Sequence, residues 1–246
     1  MALDSASLER IVPELLECDG ATGGATLALH LARYRFALEH LQPGTLLDIA
    51  CGVGYGTDLL AAGNTGIVAA TGVDISADAI QYARAHYGGP RTRFVESDAL
   101  TFWDPNGYEN IVSLETIEHI PNPRAFLRYL FGLLKPGGVL IGSVPVTPSV
   151  DANPYHLTDF TERSFRTVGR ELRLIEIACL FQAQPYDPIA ILRGQEKRSN
   201  GIRRNLAGYY LAHPRKLLAR IWSIARHGFQ NRYLTVVWRS PQDGPA

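Results

Sequence analysis

Cysteine and long apolar runs are both scarce in this chain of 246 residues. Its three cysteines, Cys18, Cys51 and Cys179, are too few and too scattered for a disulfide framework or a CxxC metal knuckle. Free thiols in a reducing compartment are expected. No apolar run reaches the ~18 residues of a membrane-spanning helix, and the opening MALDSASLERIVPELLE is acidic and amphipathic rather than a basic patch leading into an apolar stretch. The expectation is a soluble, cytoplasmic protein. Internal repeats and low-complexity tracts are missing as well. Acid is nearly absent from one segment: between Arg193 and Arg232 ten Lys or Arg stand against Glu196 alone, which leaves 14 bases and 23 acids elsewhere. A formal net charge of zero therefore conceals a basic segment on an acidic body.

What is present is an apolar fraction of 46%, enough to bury the core of one large domain, or of one domain with an insertion. Helical spacing covers Ser5 to Glu17 and Ala25 to Leu41, the second with Leu27, Leu31, Tyr34 and Leu38 on one face. From Thr45 a unit of strand, glycine turn and helix recurs. TLLDIA leads into YGTDLLAA, IVAATGVD into SADAIQYARAHY with Ser76 as N-cap, and RTRFVE into a short link. The strand YENIVSLE, the helix PRAFLRYLFGLL and the strand GGVLIGSVP follow. Such alternation implies right-handed crossovers and a parallel sheet covered on both faces, a doubly wound α/β domain. After Pro145 come the loop TPSVDANPYHL, the short helix TERSFRTVGR and the strands ELRLIEIACLF and RYLTVVWRS, which suit an antiparallel edge pair. The roughly fifty residues between those strands are too many for a structureless loop and should carry helices.

In LLDIACGVGYGTDLLAA, Leu46 to Ala62, an apolar strand stops at an acid, crosses three alternate glycines and restarts as a helix. Ligands of open parallel sheets sit beyond the strands' carboxyl ends, where glycine lets them press on the backbone and a helix offers its N–H groups. A dinucleotide usually shows G-x-G-x-x-G; here Gly52, Gly54 and Gly56 give G-x-G-x-G. Asp48 at the strand end would repel a pyrophosphate and attract a cation. A sulfonium nucleoside with an amino-acid tail satisfies both features. Asp74, ending the second strand, can accept from two vicinal ribose hydroxyls, although NAD sites place an acid there too.

DIACGVGYG, GVDIS, VESDAL, NIVSLETIEHI and LKPGGVLIGSVP, in that order over about a hundred residues, resemble a class I S-adenosylmethionine-dependent methyltransferase. The resemblance implies a Rossmann-like sheet of seven strands, five parallel and then an antiparallel edge pair. N-terminal helices (1–44) would form a lid, 45–181 with 232–240 the cofactor-binding core, and 182–231 a basic helical insertion. It implies that Asp48, Ala50, Cys51, Gly52 and Gly54 line the methionine part of S-adenosylmethionine, Asp74 and Ile75 hold the ribose and cover the adenine, and Asp98 accepts from the adenine amino group. Ala99 and Leu100 would flank the base, Leu114 and Glu115 floor the pocket, and Tyr34 and Arg35 contact the cofactor from the lid helix. The product would be S-adenosylhomocysteine.

Methyl transfer is an in-line displacement, so alignment and exclusion of water are the main tasks, and a base is needed only where the acceptor must lose a proton. ETIEHI and NPYHLTDFTERSF supply Glu118, His119 and His156, with His119 the first candidate for general base. Together with Glu115 these residues also form an oxygen and nitrogen ligand set for a divalent cation, and the small-RNA 2′-O-methyltransferases have a similar run. The NPYHLTDFTERSF loop resembles enzymes acting on sugars and surface-polysaccharide precursors, which points to a hydroxylated small molecule or glycan as acceptor. RNA is the alternative acceptor, although no RNA module is visible, and a non-catalytic cofactor-binding interaction protein is the alternative class. PRKLLARIWSIARHG places Leu217, Leu218, Ile221, Trp222 and Ile224 on one side, bordered by Lys216, Arg220 and Arg226. That basic amphipathic helix suits an anionic membrane or a lipid-linked substrate, or a lid or homodimer contact.

Overall fold

The computed structural model describes residues 21–189 and 205–242. The expected helix over Ser5 to Glu17 and the bases Arg193, Lys197, Arg198, Arg203 and Arg204 lie outside the described residues. In chain order the elements are α1 (Ala21–Leu38), β1 (Gly44–Ile49), α2 (Tyr55–Gly63), β2 (Ile67–Asp74), α3 (Ala77–Tyr87), β3 (Thr92–Glu96) and β4 (Tyr108–Ser113). A 3₁₀ turn (Ile117–His119), α4 (Pro123–Leu133), β5 (Leu134–Pro145), α5 (Glu162–Glu171) and β6 (Ile175–Pro185) follow, then α6 (Leu206–Ala212), α7 (Pro214–His227) and β7 (Gln230–Arg239). The seven strands form one sheet in the order β3-β2-β1-β4-β5-β7-β6. The first five are parallel, while β7 runs antiparallel to both β5 and β6. The chain order reverses between β1 and β4, where a doubly wound sheet opens its ligand crevice.

Both faces of the sheet are covered, as the near-continuous apolar strands require. On one face Leu47, Ile49, Ile111 and Leu140 pack with Phe126, Leu127 and Leu130 of α4 and Phe165 of α5. On the other, Leu46, Val112, Ile141 and Val237 pack with Tyr34 and Ala37 of α1 and Leu60 of α2. Ser76 and Asn122 cap α3 and α4 as side-chain acceptors, and Thr161 with Ser164 closes a capping box on α5.

The sixth strand differs from its sequence reading of Glu171 to Phe181. The chain from Glu171 to Leu174 instead ends α5: Arg173 adopts φ +57° and the Leu174 N–H returns to the Gly169 carbonyl at 3.0 Å. That 6→1 bond is a Schellman-type stop, and it delays the strand to Ile175.

The segment between β6 and β7 does carry helices. Helix α7 faces the loop after β5 with its polar side, since Lys216, Arg220, Ser223 and His227 recur at helical spacing. Arg220 grips the buried Asp151 with Nε at 2.9 Å and Nη2 at 2.6 Å, and the Tyr210 hydroxyl donates to the same carboxylate at 2.5 Å. Burial opposes the charge on Asp151, but the Arg220 pair and Tyr210 outweigh it and hold the carboxyl below its ordinary range. Lys216 Nζ meets Asp159 at 2.6 Å. The expectation that Lys216 and Arg220 border the apolar side of a basic amphipathic helix is thus corrected: both charges turn inward, onto acids of the loop. Among the described residues no helix is long and apolar enough to cross a membrane.

Trp238 of β7 lies edge-on to Phe165, with ring centroids 5.0 Å apart, and its indole fits against Gly169 of α5. A Cβ on Gly169 would overlap that indole. Gly169→Ala is therefore expected to lose about 1–3 kcal/mol of stability despite the better helix propensity of alanine, measured by urea denaturation.

Candidate active site

The site is built at the carboxyl ends of β1, β2 and β4. Strand β1 delivers Asp48, whose carboxylate is almost fully buried, to the start of α2, where the Thr57 hydroxyl donates to it at 2.6 Å. The Tyr34 hydroxyl of α1 approaches the same oxygen at 3.5 Å. The Tyr34 ring lies directly on Gly56, where a Cβ would overlap it. Between β1 and α2 the chain turns through Ala50 (φ +61°), Gly52 (φ +57°) and Gly54 (φ +89°). Gly54 has no alternative residue, since its left-handed φ coincides with a Cβ position 2.7 Å from Phe94 and from the Ala83 methyl. Asp74 closes the loop from β2, accepting from Gly52 N at 3.0 Å and Ser76 N at 2.9 Å. Those two bonds orient its carboxylate across the top of the glycine turn.

Charge at this point is unusual. Burial pushes the Asp48 carboxyl up to about 7, Thr57 and Tyr34 hold it back by hydrogen bonding, and the neighbouring Asp74 adds to the rise. Burial, with Asp48 and Asp74, also pushes the Cys51 thiol well above its ordinary value, and burial, with Asp48, does the same to the Tyr34 hydroxyl. Cys51 is thus a neutral lining group rather than a nucleophile.

On the far side, Ile75 after β2 and Leu100 after β3 are exposed apolar side chains. The Asp98 Oδ1 accepts from Leu100 N at 2.8 Å, and Ala99 packs against the core. The floor comes from β4. Leu114 is buried, and Glu115 adopts φ +51°, a sparsely populated conformation for a non-glycine residue. Its backbone N–H donates to Ser143 Oγ at 2.9 Å, and the same hydroxyl donates to Glu115 Oε1 at 2.7 Å. Ser143 of β5 thereby holds both ends of this turned residue.

Glu115 also faces Arg33 of α1, Nη1 to Oε2 3.8 Å. The Arg33 side chain is only 1% exposed, lies 4.4 Å over the Tyr233 ring, and has no hydrogen-bond partner for Nε or Nη1 among the described residues. His30, one turn earlier, is driven down to about 3 by burial and then by the Arg33 charge, so it is neutral. Arg35, the expected lid contact, is exposed. The inward arginine is Arg33, which the sequence reading passed over.

The catalytic candidates converge beside this floor. The turn Ile117–His119 directs Glu118 inward, almost fully buried, and its backbone carbonyl accepts from Leu157 N and Thr158 N at 2.9 and 3.2 Å. These bonds lay the loop after β5 across the site. His119 Nδ1 lies 3.1 Å from the Tyr155 carbonyl, His156 Nδ1 lies 2.8 Å from Ser149 Oγ, and the two rings meet edge-on at 4.7 Å. Ligand atoms of Glu118, His119 and His156 all fall within 4.8 Å of one another. Glu115, expected in the same ligand set, is turned to Ser143 and Arg33 and is not part of that group. Behind His156, Ser149 N and Val150 N donate to Asp159, the acid that also receives Lys216 of α7.

A family model described as a methyltransferase domain matches residues 26–191. An uncharacterised methyltransferase of Mycobacterium tuberculosis (H37Rv) is 34% identical over 125 residues, which are 50% of this chain and 62% of that protein. A ubiquinone biosynthesis O-methyltransferase of Paraburkholderia xenovorans is 32% identical over 106 residues, 42% of this chain and 44% of that one. The chain therefore spans less than two thirds of these relatives. Among solved structures, the N-methyltransferase NodS of Bradyrhizobium japonicum, in complex with S-adenosylhomocysteine, aligns over 87% of this chain and 86% of its own at a TM-score of 0.57 and 16% identity, a likeness of fold.

Because the unfolded chain ionises Asp48 near its ordinary 3.8 and the fold retains the proton to about 7, folding loses stability across that window as pH rises. Asp48→Asn is expected to stabilise the ligand-free protein at pH 8 by on the order of 1–4 kcal/mol. The same change removes the anion that a cationic ligand needs. Thermal denaturation and calorimetric titration with S-adenosylmethionine should move in opposite directions, the first gaining and the second losing.

Proposed function

The chain belongs to the methyltransferase-domain family, and on that footing we propose that it transfers a methyl group from S-adenosylmethionine to an oxygen of a hydroxylated small molecule or sugar precursor. The carrying observation is topological: the glycine turn flanked by Asp48 and Asp74 follows β1, and the turn bearing Glu118 and His119, with His156 beside them, follows β4, the parallel strand paired to β1. The fit of the cofactor rests on features of the fold itself. Two acids suit a cationic sulfonium and ammonium, Asp74 suits a vicinal diol, and the exposed Ile75 and Leu100 suit the faces of a purine. Arg33, buried with unsatisfied donors, suits the cofactor's carboxylate.

The cofactor supplies an electrophilic methyl on its sulfonium; the chain's own residues align the acceptor and take its proton. A carbonyl only accepts, so the Tyr155 contact places the His119 proton on Nδ1 and makes Nε2 the basic nitrogen. Nε2 then receives the hydroxyl proton as the oxygen attacks. Glu118 and His156 position the ring and the acceptor. An O-methyltransferase relative of 32% identity and the sugar-enzyme resemblance of the loop 153–165 support oxygen as the target. A lipid-linked carrier of such a sugar would meet the protein at α7. The close convergence of Glu118, His119 and His156 favours one second reading, in which these three residues would hold a divalent cation whose chemistry would be to acidify an acceptor hydroxyl, RNA ends included.

His119→Gln is expected to lower kcat by about 10²–10⁴ with cofactor affinity unchanged, read as S-adenosylhomocysteine released with a panel of hydroxylated acceptors. Activity that survives EDTA selects the metal-free reading; activity lost in EDTA and restored by Mg²⁺, Mn²⁺ or Zn²⁺ selects the other. Failure of every acceptor class, with cofactor still bound, would leave only the non-catalytic alternative. Arg33→Met is expected to weaken S-adenosylmethionine binding by about 10- to 100-fold, and to affect adenosine, which lacks the carboxylate, far less. Equal losses for both ligands in calorimetry would remove Arg33 from this role.

A further inference from the structure

Helix α7 is inverted relative to a helix that packs by its apolar side. Lys216, Arg220, Ser223 and His227 recur at i, i+4, i+7 and i+11, and of these Lys216 and Arg220 bind acids of the loop after β5 while Ser223 is buried. The opposite side carries Leu218, Ile221 and Trp222, which are 65%, 53% and 63% exposed. Leu211 at the end of α6 is 86% exposed and Phe229 beyond α7 is 47% exposed. A solvated helix of this kind ordinarily turns those faces round. Flanking the apolar side, Arg215 and Arg226 are exposed, and the Arg226 guanidinium lies 5.2 Å over the Trp222 ring. No Asp or Glu occurs anywhere in 197–242.

We propose that α7 seats this protein on an anionic lipid surface. The Leu218, Ile221 and Trp222 side enters the headgroup boundary, and Arg215 and Arg226 meet the lipid phosphates. Charge complementarity selects this occupant. The flank of the apolar side that carries Arg215 and Arg226 is basic and no acid in the segment would repel an anionic surface, whereas the bases facing the protein are already neutralised by Asp151 and Asp159. Tryptophan paired with arginine is the side-chain combination that sits at a water–lipid boundary, its ring apolar and its polar edge wet. The helix is too short and too charged to cross a bilayer, so it lies along the surface. The anchor is tied to the loop bearing His156 through Asp151 and Asp159, so a bound surface would lie across α7 from that loop.

The experiment is sedimentation of the full chain with vesicles of phosphatidylcholine alone and of phosphatidylcholine with phosphatidylglycerol. Wild type is expected to pellet with the anionic vesicles and not the neutral ones, and to be released by high salt. Ile221→Glu with Trp222→Glu should weaken the partition at least about tenfold, because a charge is driven into the apolar boundary. Arg215→Gln with Arg226→Gln, which leaves the apolar side intact, should weaken it about fivefold per charge removed. Both variants change exposed residues, so an unchanged thermal midpoint is expected of each. Wild type that stays in the supernatant with both vesicles overturns the proposal. So does wild type that is dimeric by light scattering and made monomeric by the Glu pair without any pelleting, which would assign the face to a second copy. Pelleting that ignores all four substitutions overturns it as well.

Discussion

Two carboxylates at the ends of neighbouring parallel strands are the constraint around which the rest of the site is arranged. Asp48 is buried and Asp74 beside it raises its proton affinity further, so the ligand-free fold carries a carboxyl titrating near neutrality. A group of that kind is destabilising unless a positive ligand completes it, which is the signature of a binding site rather than of a structural ion pair. The surrounding features suit a cation there. Tyr34 and Thr57 supply hydroxyls to one oxygen, the glycines remove Cβ atoms above it, and Gly52 and Ser76 aim the second acid with backbone N–H groups.

The side bearing the two histidines is organised by a different set of bonds. The carbonyl of Glu118 anchors the loop after β5, Tyr155 and Ser149 orient the two histidines, and Asp159 and Asp151 tie that loop to α7. The Asp151–Arg220 pair is almost wholly buried and doubly hydrogen-bonded. Pairs of this type contribute little net stability but fix one geometry, since removing one partner leaves a buried charge. The insertion between β6 and β7 thus does two jobs at once. It braces the histidine loop with its polar side and presents an apolar side outward.

Legibility in the sequence divides along physical lines. The parallel strands were readable because burial on both faces leaves continuous apolar runs, and the glycine turn because a left-handed backbone against Phe94 admits no side chain. The residues Asp48, Asp74, Glu118, His119 and His156 were identifiable by type and by their place after strand ends. Arg33 was not. The helix α1 buries Leu27, Arg33, Tyr34 and Ala37, a stripe rotated from the Leu27, Leu31, Tyr34 and Leu38 series, and an arginine inside a buried stripe looks like an error of phase until its partners are seen. The start of β6 was also hidden, because the stop at Arg173 depends on a left-handed residue that is not glycine.

The sequence by itself determined the layered α/β sheet, the ligand crevice at the chain reversal, and the residue types that face it, because periodicity and glycine spacing are local properties of the chain. Tertiary structure alone decided which side of α7 looks inward. Apolar periodicity predicts a buried apolar side, but Asp151 and Asp159, more than fifty residues upstream of Arg220 and Lys216, draw the cationic side in, the first through a buried charge pair and the second through a half-exposed one. It also decided that Glu115 joins Arg33 and Ser143 rather than the histidines, since a single positive φ at the end of β4 turns one glutamate away while Glu118, three residues on, turns in.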